Sequence, residues 1–364
     1  MQSPALQSYT YFKNLQRYSK PASRIVSVAS EIPENRVDNE ALVEMIEAPD
    51  KIKKMLPTLI YRTTKCKTRA YSEPGTSPSD LAVAASLKAI ESSRLKLGDI
   101  DTVIFSSTDM DMLEPATANI VQKRLGIEMV NSFDVTNACN SFLQAMNVAN
   151  SMIITGAARN VLIGSGEIGS YVANRQINSL DELDVKMGGL TLGDAGAAMI
   201  LSASDGNNGL LEINLMNLGE HWEQCHAPEN TEWRPTGGLI HGWFYLDMPK
   251  LAKVAKLHTE SYFREYATMR LGLEYDPFFY NNIAHIIPHQ ISRKFIEDIV
   301  RELGYDMAKI PIVADLLGNT ASTSIPLVLS KLIEEKTLSF GSGQEVMFYG
   351  AASGFGIGHV RVRL

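Results

Sequence analysis

The sequence has little cysteine and no long apolar run. Three cysteines stand far apart in 364 residues, at positions 66, 139 and 225. This odd, small number is typical of a reducing compartment rather than of a disulfide framework. No segment approaches the about 18 consecutive apolar residues of a membrane-spanning helix. The opening stretch MQSPALQSYTYFKNLQRYSK lacks the apolar centre of a signal peptide. We therefore expect a cytoplasmic protein without a membrane span.

Positive charge is also scarce. Lys and Arg number 34 against 41 Asp and Glu, which leaves a net charge of −7, and the basic residues are spread along the chain. A nucleic-acid-binding surface needs clustered positive charge to neutralise phosphates, so this function class is excluded. Apolar residues make up 45% and charged residues 21%, as in ordinary globular proteins. The length suffices for one large α/β unit or two packed halves.

Nucleotide and zinc motifs are missing as well. LGDAGAA (192–198) has neither the GxGxxG pattern nor the lysine of a phosphate-binding loop. One aromatic segment is rich in potential zinc ligands, namely His221, Cys225, His226 and His241. Its spacing matches neither CxxC nor HExxH, so we predict no metal and no cofactor. Its three tryptophans predict a loop that covers a pocket: Trp222, Trp233 and Trp243.

Short β-rich runs alternate with helical patterns along the chain. Strands are predicted at 23–33, 101–109, 131–135, 160–167, 192–202, 209–218, 285–290, 310–315 and 345–350. Helices are predicted at 77–95, 119–126, 141–156, 250–270, 292–303 and 323–335. This alternation indicates an α/β fold with largely parallel sheets covered by helices. The pattern restarts after the linker DGNNG, which predicts two similar halves, 1–205 and 206–364.

Cys139 lies in DVTNACNSF, between a predicted strand and a predicted helix. A thiol at a helix N-terminus feels the positive end of the helix dipole, which lowers its pKa and favours the reactive thiolate. Cysteine is equally a small residue suited to burial in the core. The position alone leaves both interpretations open, a nucleophile and a structural residue.

Three further segments could face the same pocket. His289 ends the apolar run HIIPHQ, Asn319 follows IPIVAD, and the C-terminal YGAASGFGIGHV is rich in glycine. Each has an ordinary structural explanation: a hydrogen-bonded core histidine, a turn asparagine and a tight turn between buried strands. If the segments converge, however, they supply a nucleophile, a base or donor, and a second neutral donor. The backbone N–H groups of Cys139 and the glycine-rich stretch could then form an oxyanion hole.

As a set, the motifs resemble those of the thiolase-fold condensing enzymes, and most of all ketoacyl-acyl carrier protein synthase III, from about residue 23 to 364. The family's nucleophile motif D-x-x-x-A-C-x-x-F is matched by Asp134, Ala138, Cys139 and Phe142. Residues 288–290 match its PHQ motif, and residues 115–118 match its PATA motif. Its GNT followed by IP is matched by Gly318, Asn319, Thr320, Ile325 and Pro326. The resemblance implies a five-layer αβαβα fold of two similar halves, and a homodimer.

The resemblance also implies a decarboxylative condensation. Cys139 would take an acyl group from a thioester of acyl carrier protein or coenzyme A. His289 and Asn319 would stabilise the enolate formed when a malonyl-type thioester loses carbon dioxide, and that enolate would attack the acyl-enzyme to release a β-ketoacyl product. Family spacing places three basic residues at the tunnel mouth as a carrier-protein docking site: Lys253, Lys294 and Arg301.

The sequence departs from the synthase III pattern at several places. The tryptophan that stacks on coenzyme A is absent near Thr58, and of the matching arginine only Arg175 lies nearby. Ser353 replaces a glycine of the oxyanion hole, and Glu114 precedes the PATA motif. Both changes resemble the head-to-head condensing enzymes of olefin synthesis, in which a glutamate from the partner subunit is thought to act as base. Extra residues near 44–60, 171–190 and 220–245 would reshape the acyl tunnel.

These departures leave four functions open. Decarboxylative condensation in specialised fatty-acid or polyketide metabolism leads, because the Cys–His–Asn set is intact. An acyltransferase to an alcohol or amine would not need the decarboxylation pair. Head-to-head Claisen condensation would use Glu114 as its base, and a non-catalytic partner subunit would not need the complete triad.

Overall fold

A computed structural model describes residues 11–227, 243–271 and 280–364 of the chain. The strands are β1 (Gln16–Arg17), β2 (Ser23–Glu31), β3 (Arg36–Asp38), β4 (Thr68–Ala70), β5 (Thr102–Ser106), β6 (Asn131–Val135), β7 (Asn160–Ile168), β8 (Asp194–Ala203), β9 (Gly209–Asn217), β10 (Cys225–His226), β11 (Tyr245–Leu246), β12 (Ile283–Pro288), β13 (Glu345–Ala352) and β14 (Gly356–Arg363). The α-helices are α1 (Asn39–Glu44), α2 (Asp50–Thr64), α3 (Pro78–Ser93), α4 (Thr117–Leu125), α5 (Ser141–Ile154), α6 (Leu183–Lys186), α7 (Met248–Leu271), α8 (Arg293–Leu303), α9 (Ala314–Leu317) and α10 (Ser324–Glu334).

The two five-stranded sheets share a run of four strands with the same pairing: two antiparallel pairs followed by one parallel pair. The run is β2-β8-β7-β5 in the first sheet and β9-β14-β13-β12 in the second. The first has the order β2-β8-β7-β5-β6 and the second β1-β9-β14-β13-β12. In the first, β2–β8 and β8–β7 are antiparallel and β7–β5 is parallel. In the second, β9–β14 and β14–β13 are antiparallel and β13–β12 is parallel. The prediction of two similar halves agrees with this repeated scheme. The division at residue 205 stays a prediction, and β1 from the N-terminal segment pairs with β9.

Helices cover both sheets and separate them. Buried side chains of α5 and α10, such as Phe142 and Leu329, pack in one cluster with Ile163 of the first sheet and Phe348 of the second. Helices α3 and α4 pack on the outer face of the first sheet, and α7 and α8 pack on the outer face of the second. The order is therefore helix, sheet, helix, sheet, helix, and the predicted five-layer α/β arrangement is confirmed.

Local sequence signals explain several elements. Ser77 caps α3 through a capping box with Asp80, as the serine-rich start of the helical pattern predicts. Gly126 ends α4 with a φ of +73°, which a residue without Cβ adopts at no steric cost. Among the described residues no helix combines the length and apolar character that a bilayer crossing requires.

The prediction of largely parallel sheets is wrong. The first sheet has two antiparallel and two parallel pairs of neighbouring strands, and the second has three antiparallel pairs and one parallel pair. The cause is partly local, since β13 and β14 are joined by a tight turn at residues 353–355, and such a turn can connect only antiparallel strands.

The predicted strand at 310–315 is also wrong. The short helix α9 begins at Ala314, and residues 311–313 join no sheet. The side chain of Gln290 replaces a neighbouring strand: its Oε1 accepts the Val313 N–H at 2.9 Å, and its Nε2 donates to the Pro311 carbonyl at 3.2 Å. Because Pro311 has no N–H to offer a ladder, this side-chain bridge satisfies the backbone instead.

Candidate active site

Two cavities meet at Cys139. The first, called the apolar channel, has a volume of about 90 Å³ and runs between α7 and α8, where Leu251 and Phe295 line it. The second, called the acidic chamber, has a volume of about 480 Å³ and is lined by Asp109 and Glu167 among others. Five residues line both cavities: Cys139, Cys225, Phe244, Asn319 and Ser353. His289 lines the channel. The structure therefore brings the three predicted catalytic residues to one place.

The backbone presents Cys139 at a sharp corner between β6 and α5. Ala138 adopts a φ of +48°, in the left-handed region that disfavours residues with a Cβ. The side chain of Ser141 fixes the turn, because its Oγ accepts the Asn137 N–H at 2.8 Å and donates to the Ala138 carbonyl at 2.6 Å. Cys139 is half-buried at the resulting corner.

The expected lowering of the Cys139 pKa is wrong in direction. Burial raises the pKa of the thiol well above its ordinary value, and the nearby Cys225 and Glu167 raise it further. The backbone N–H groups of Ser353 and of Cys139 itself oppose the rise. Burial outweighs the helix dipole because the sulfur lies between two cavity walls, away from bulk water. Cys139 is therefore a thiol in the resting protein at neutral pH.

His289 is held neutral and in one orientation. It follows β12, is 3% exposed, and burial lowers its pKa to about 4. Its backbone N–H donates to the Tyr349 carbonyl at 2.8 Å, and its Nδ1 lies 2.8 Å from the Ser324 Oγ. The Ser324 Oγ also accepts the Gln290 N–H at 3.4 Å. When the Ser324 hydroxyl donates to Nδ1, the ring proton lies on Nε2.

Asn319 is fixed by a turn and by the segment that contains LGDAGAA. Its Oδ1 accepts the Ala321 N–H at 3.0 Å, which leaves the Nδ2 donors for the cavities. Its backbone N–H donates to Thr191 and its carbonyl accepts from Gly193, at 2.8 and 2.9 Å. A Cβ on Gly193 would lie 2.1 Å from the Leu317 carbonyl oxygen. The glycine-rich turn is thus a support for Asn319, and only glycine allows this close approach.

Ser353 lies in the tight turn between β13 and β14. The turn and oxyanion-hole interpretations of this segment are compatible, since the backbone N–H of Ser353 lies near enough to the Cys139 sulfur to lower the pKa of the thiol. Its hydroxyl lies 3.0 Å from the sulfur of the buried Cys225. Two backbone N–H groups, of Cys139 and Ser353, therefore share one spot beside the thiol.

Sequence reasoning missed the two carboxylates of the acidic chamber. Glu167 is 2% exposed. Its carboxylate accepts two hydrogen bonds from Thr108, from the backbone N–H at 2.8 Å and from the hydroxyl. It accepts two more from Ser322, from the backbone N–H at 3.2 Å and from the hydroxyl. Burial raises the pKa of Asp109 to about 7, and the neighbouring Glu167 contributes to the rise. Two signals could have revealed them. Asp109 follows the end of β5, and Glu167 interrupts a buried strand, where an unpaired charge is costly.

The other predicted residues lie outside both cavities. Glu114 is exposed on the loop before α4, next to Leu113, which is 66% exposed. Lys253 is exposed on α7, and no ion pair described for the chain involves it. On α8, Lys294 and Arg301 both pair with Asp298, the latter at 3.2 Å. The two helices that carry these cations flank the apolar channel.

The positions expected to contact coenzyme A and the residues of the aromatic segment have the following surroundings. Thr58 is exposed on α2, and the Arg175 guanidinium donates to the Ser170 carbonyl at 3.1 Å. The ring of His226 stacks on Tyr245 with centroids 4.8 Å apart. Among the described residues no three histidine, cysteine or acidic side chains form a group that could hold a metal ion. His241 and Trp233 lie outside the described residues, whereas Trp222 lines the acidic chamber.

Comparison with known sequences gives a consistent family. Models of 3-oxoacyl-[acyl-carrier-protein] synthase III and of its C-terminal part match residues 133–219 and 278–364. Similar proteins include the β-ketoacyl-[acyl-carrier-protein] synthase III of Neisseria gonorrhoeae, 29% identical over 347 residues, which are 93% of this chain and 98% of that one. The synthase III of Clostridium perfringens is 28% identical over 336 residues, 91% and 96% of the two chains.

Solved structures show the same fold. Xanthomonas campestris OleA, in a cysteine-to-serine variant with bound lauric acid and lauroyl-CoA, superposes with a TM-score of 0.81 at 22% identity, over 94% of this chain and 99% of that one. The 3-oxoacyl-[acyl-carrier-protein] synthase III of Aquifex aeolicus superposes with a TM-score of 0.79 at 23% identity, over 94% and 100%. The chain is thus similar to ketoacyl synthase III over most of its length, and it is a ketoacyl synthase III-like enzyme with the thiolase fold.

Proposed function

We propose that the protein joins an acyl group, held as a thioester on Cys139, to a malonyl-type thioester with loss of carbon dioxide. The observation that carries this proposal is the convergence of Cys139, His289 and Asn319 on the apolar channel. The product is a β-ketoacyl thioester. A covalent intermediate divides the condensation into acyl transfer and carbon–carbon bond formation, each with its own smaller barrier.

In the first step the sulfur of Cys139 attacks the carbonyl carbon of the acyl donor, and the donor thiol leaves with the proton that the resting thiol gives up. The negative charge that develops on the carbonyl oxygen is stabilised by the N–H groups of Cys139 and Ser353. Such prearranged donors lower the barrier because they need no reorganisation as charge develops.

In the second step the malonyl carboxylate leaves as carbon dioxide, and the electron pair moves onto the thioester carbonyl. The N–H of His289 Nε2 and the Nδ2 of Asn319 donate to the resulting enolate oxygen. A neutral histidine suits this role, and burial keeps the pKa of His289 at about 4. The enolate carbon then attacks the acyl carbon on Cys139, and the thiolate of Cys139 leaves.

The geometry supports carrier-bound delivery through the apolar channel. The channel runs between α7 and α8, and Lys253 and Lys294 lie on these two helices. An acidic carrier protein would meet positive charge at this mouth. Lys253 carries the larger share, because Lys294 and Arg301 already pair with Asp298.

The decisive test counts carbon dioxide. Purified protein is incubated with a panel of acyl donors and radiolabelled malonyl thioesters, and carbon dioxide and β-ketoacyl product are measured together. We expect about one carbon dioxide per product. Acyl transfer to an alcohol or amine would yield ester or amide without carbon dioxide, and this result would replace the proposal.

Head-to-head condensation is the second candidate, and the exposed loop that carries Glu114 beside Leu113 favours it. An exposed apolar loop of this kind is suited to insertion into a second copy of the chain. In that reaction two acyl thioesters condense, and Glu114 of the partner would remove a proton from the second acyl group. Product formed from two acyl donors without a malonyl thioester would support this candidate.

Reversing the charge of Lys253 tests the carrier-binding face. We expect Lys253→Glu to raise the KM for carrier-bound substrate about tenfold, a typical size for a charged contact at an interface, while turnover of short free thioesters stays unchanged. The comparison of both substrates by steady-state kinetics measures this. Lys51→Glu, a reversal of an exposed lysine on α2, is the matched control. Equal losses with both substrates would contradict carrier docking at Lys253.

A further inference from the structure

The acidic chamber has a chemistry that a plain hydrocarbon chain does not require. Its walls combine apolar side chains, including Ile168, Val172 and Leu192, with the carboxylates of Asp109 and Glu167. A volume of about 480 Å³ lies within the range of small-molecule sites. The chamber reaches Cys139 and Asn319, so a group bound to the Cys139 sulfur can extend into it.

The two carboxylates differ in how far they are satisfied. Glu167 receives hydrogen bonds from both the backbone and the hydroxyl of Thr108 and of Ser322. Asp109 receives two described hydrogen bonds, from the Met110 N–H at 2.9 Å and the Ile168 N–H at 3.3 Å, the second of them long. In its ionised form, which is about half populated at neutral pH because the pKa of Asp109 is about 7, the carboxylate offers about four acceptor positions and so retains capacity for a ligand.

Electrostatics decides which end of a substrate enters. The negative charge shared by Asp109 and Glu167 would repel the phosphate groups of coenzyme A or of a phosphopantetheine arm, and this charge grows as the pH rises through the Asp109 pKa of about 7. The apolar channel, which opens between α7 and α8, has no acidic residue in its described lining. The carrier arm therefore belongs in the channel and the acyl group in the acidic chamber.

A saturated acyl chain would displace water from Asp109 without providing a hydrogen-bond donor to its carboxylate. Burying a carboxylate against hydrocarbon without a hydrogen-bond donor is unfavourable. A hydroxyl or ammonium group on the chain would replace the lost water and use the free acceptor positions. Apolar walls beside a single available acceptor fit a chain that is apolar over part of its length and polar at one point.

We propose that the acyl group carried by Cys139 bears a hydrogen-bond donor, a hydroxyl or an ammonium group, and that Asp109 receives it in the acidic chamber. This inference rests on the proposed role of Cys139. It makes Asp109 a specificity-determining residue, with Glu167 as the second charge that strengthens the preference for a donor.

The test uses matched N-acetylcysteamine thioesters, which lack both phosphates and carrier contacts. Hexanoyl and octanoyl donors are compared with analogues that carry a hydroxyl or an ammonium group on the last carbon. Intact-protein mass spectrometry follows the rate of Cys139 acylation. We expect at least one polar series to react about tenfold or more faster than the alkyl series, because a site built around a polar group discriminates against analogues that lack the partner.

Variants of Asp109 distinguish a hydroxyl donor from an ammonium donor. Asp109→Asn keeps an acceptor oxygen and removes the charge, so a hydroxyl preference persists in this variant and an ammonium preference collapses. Asp109→Ala removes both, and its alkyl donors should react as fast as the polar ones. Asp306→Asn is the matched control: Asp306 accepts the Ala308 N–H at 2.9 Å, which an asparagine oxygen also accepts, and it does not line the chamber.

The outcomes are distinct. Alkyl donors that acylate wild-type Cys139 as fast as polar donors overturn the proposal and leave the proposed function intact. A polar preference that survives in Asp109→Ala also overturns it. If no donor acylates Cys139, the proposed function fails; equilibrium binding of the same thioesters to Cys139→Ala then measures the Asp109 preference without the transfer step, and equal affinities for alkyl and polar thioesters overturn the proposal there as well.

Discussion

Replacing Cys139 with alanine is expected to abolish the acyl-enzyme and to lower the rate of condensation by about a thousandfold or more, the size of loss seen when a covalent nucleophile is removed. The side chain stands where β6 meets α5, with two backbone N–H groups beside the sulfur. Intact-protein mass spectrometry after incubation with acyl donors, together with product assays, measures both effects.

Cys66→Ala is the matched control for this experiment. Cys66 is buried with 1% exposure in a separate apolar cluster that it forms with buried side chains of α1 and α2, such as Leu42 and Leu56. It lines neither cavity. Its variant should gain the same acyl mass as wild type. The sulfur of Cys225 lies nearer to the site, 3.0 Å from the Ser353 hydroxyl. An adduct that persists in Cys139→Ala and maps to Cys225 would show that the nucleophile has been assigned to the wrong cysteine.

The raised pKa of Cys139 gives the same reaction a pH signature. Because the thiol is protonated at neutral pH, its thiolate fraction grows about tenfold for each pH unit until the pKa is reached. Acylation should therefore accelerate with rising pH through and beyond the ordinary thiol pKa of about 8.5. A plateau well below that value would indicate a low-pKa thiolate instead.

Replacing His289 with alanine, or Asn319 with aspartate, is expected to lower carbon dioxide release about 100- to 1,000-fold each, the range for a lost donor to a developing oxyanion. Cys139 acylation should change little, because it uses a different pair of donors. Asn319→Asp keeps the oxygen that accepts the Ala321 N–H and exchanges a donor for a negative charge. The turn is thereby preserved while the enolate is repelled.

His285→Ala is the control for the histidine variant. His285 lies on β12, on the strand that leads to His289, and it lines neither cavity. Its variant should release carbon dioxide at the wild-type rate. If His289→Ala and Asn319→Asp instead lose acylation and decarboxylation in parallel, the separation of the two donor pairs is incorrect.

Much of this arrangement could be predicted from local patterns. The capping box of α3, the glycine end of α4 and the run from β6 through Cys139 into α5 are encoded in a few neighbouring residues, so periodicity and caps reveal them. Order and spacing of the motifs likewise predicted that residues 139, 289 and 319 converge. These features depend on short-range chemistry or on a distinctive set of residues.

The errors share a different origin. The side chain of Gln290, about 20 residues earlier in the chain, forms hydrogen bonds with the backbone of Pro311 and Val313. The apolar run therefore leads into α9 as a connecting segment and does not pair as a strand. The Cys139 pKa moved upward because burial, a property of the assembled cavities, exceeds a local dipole effect. The pKa of Asp109 is raised by burial in the acidic chamber and, to a smaller extent, by Glu167 on β7. Tertiary contacts of this kind are absent from any sequence window.

Strand β14 has a consequence for biosynthesis. It forms the last described strand of the chain, yet it lies inside the second sheet, between β9 and β13. Until these residues emerge from the ribosome, β9 and β13 have no common neighbour and the turn that carries Ser353 cannot close. A nascent chain therefore exposes two unpaired sheet edges, which are prone to wrong pairing. The part of the site that Ser353 supplies can therefore form only after β14 has been synthesised and has inserted between its two neighbours.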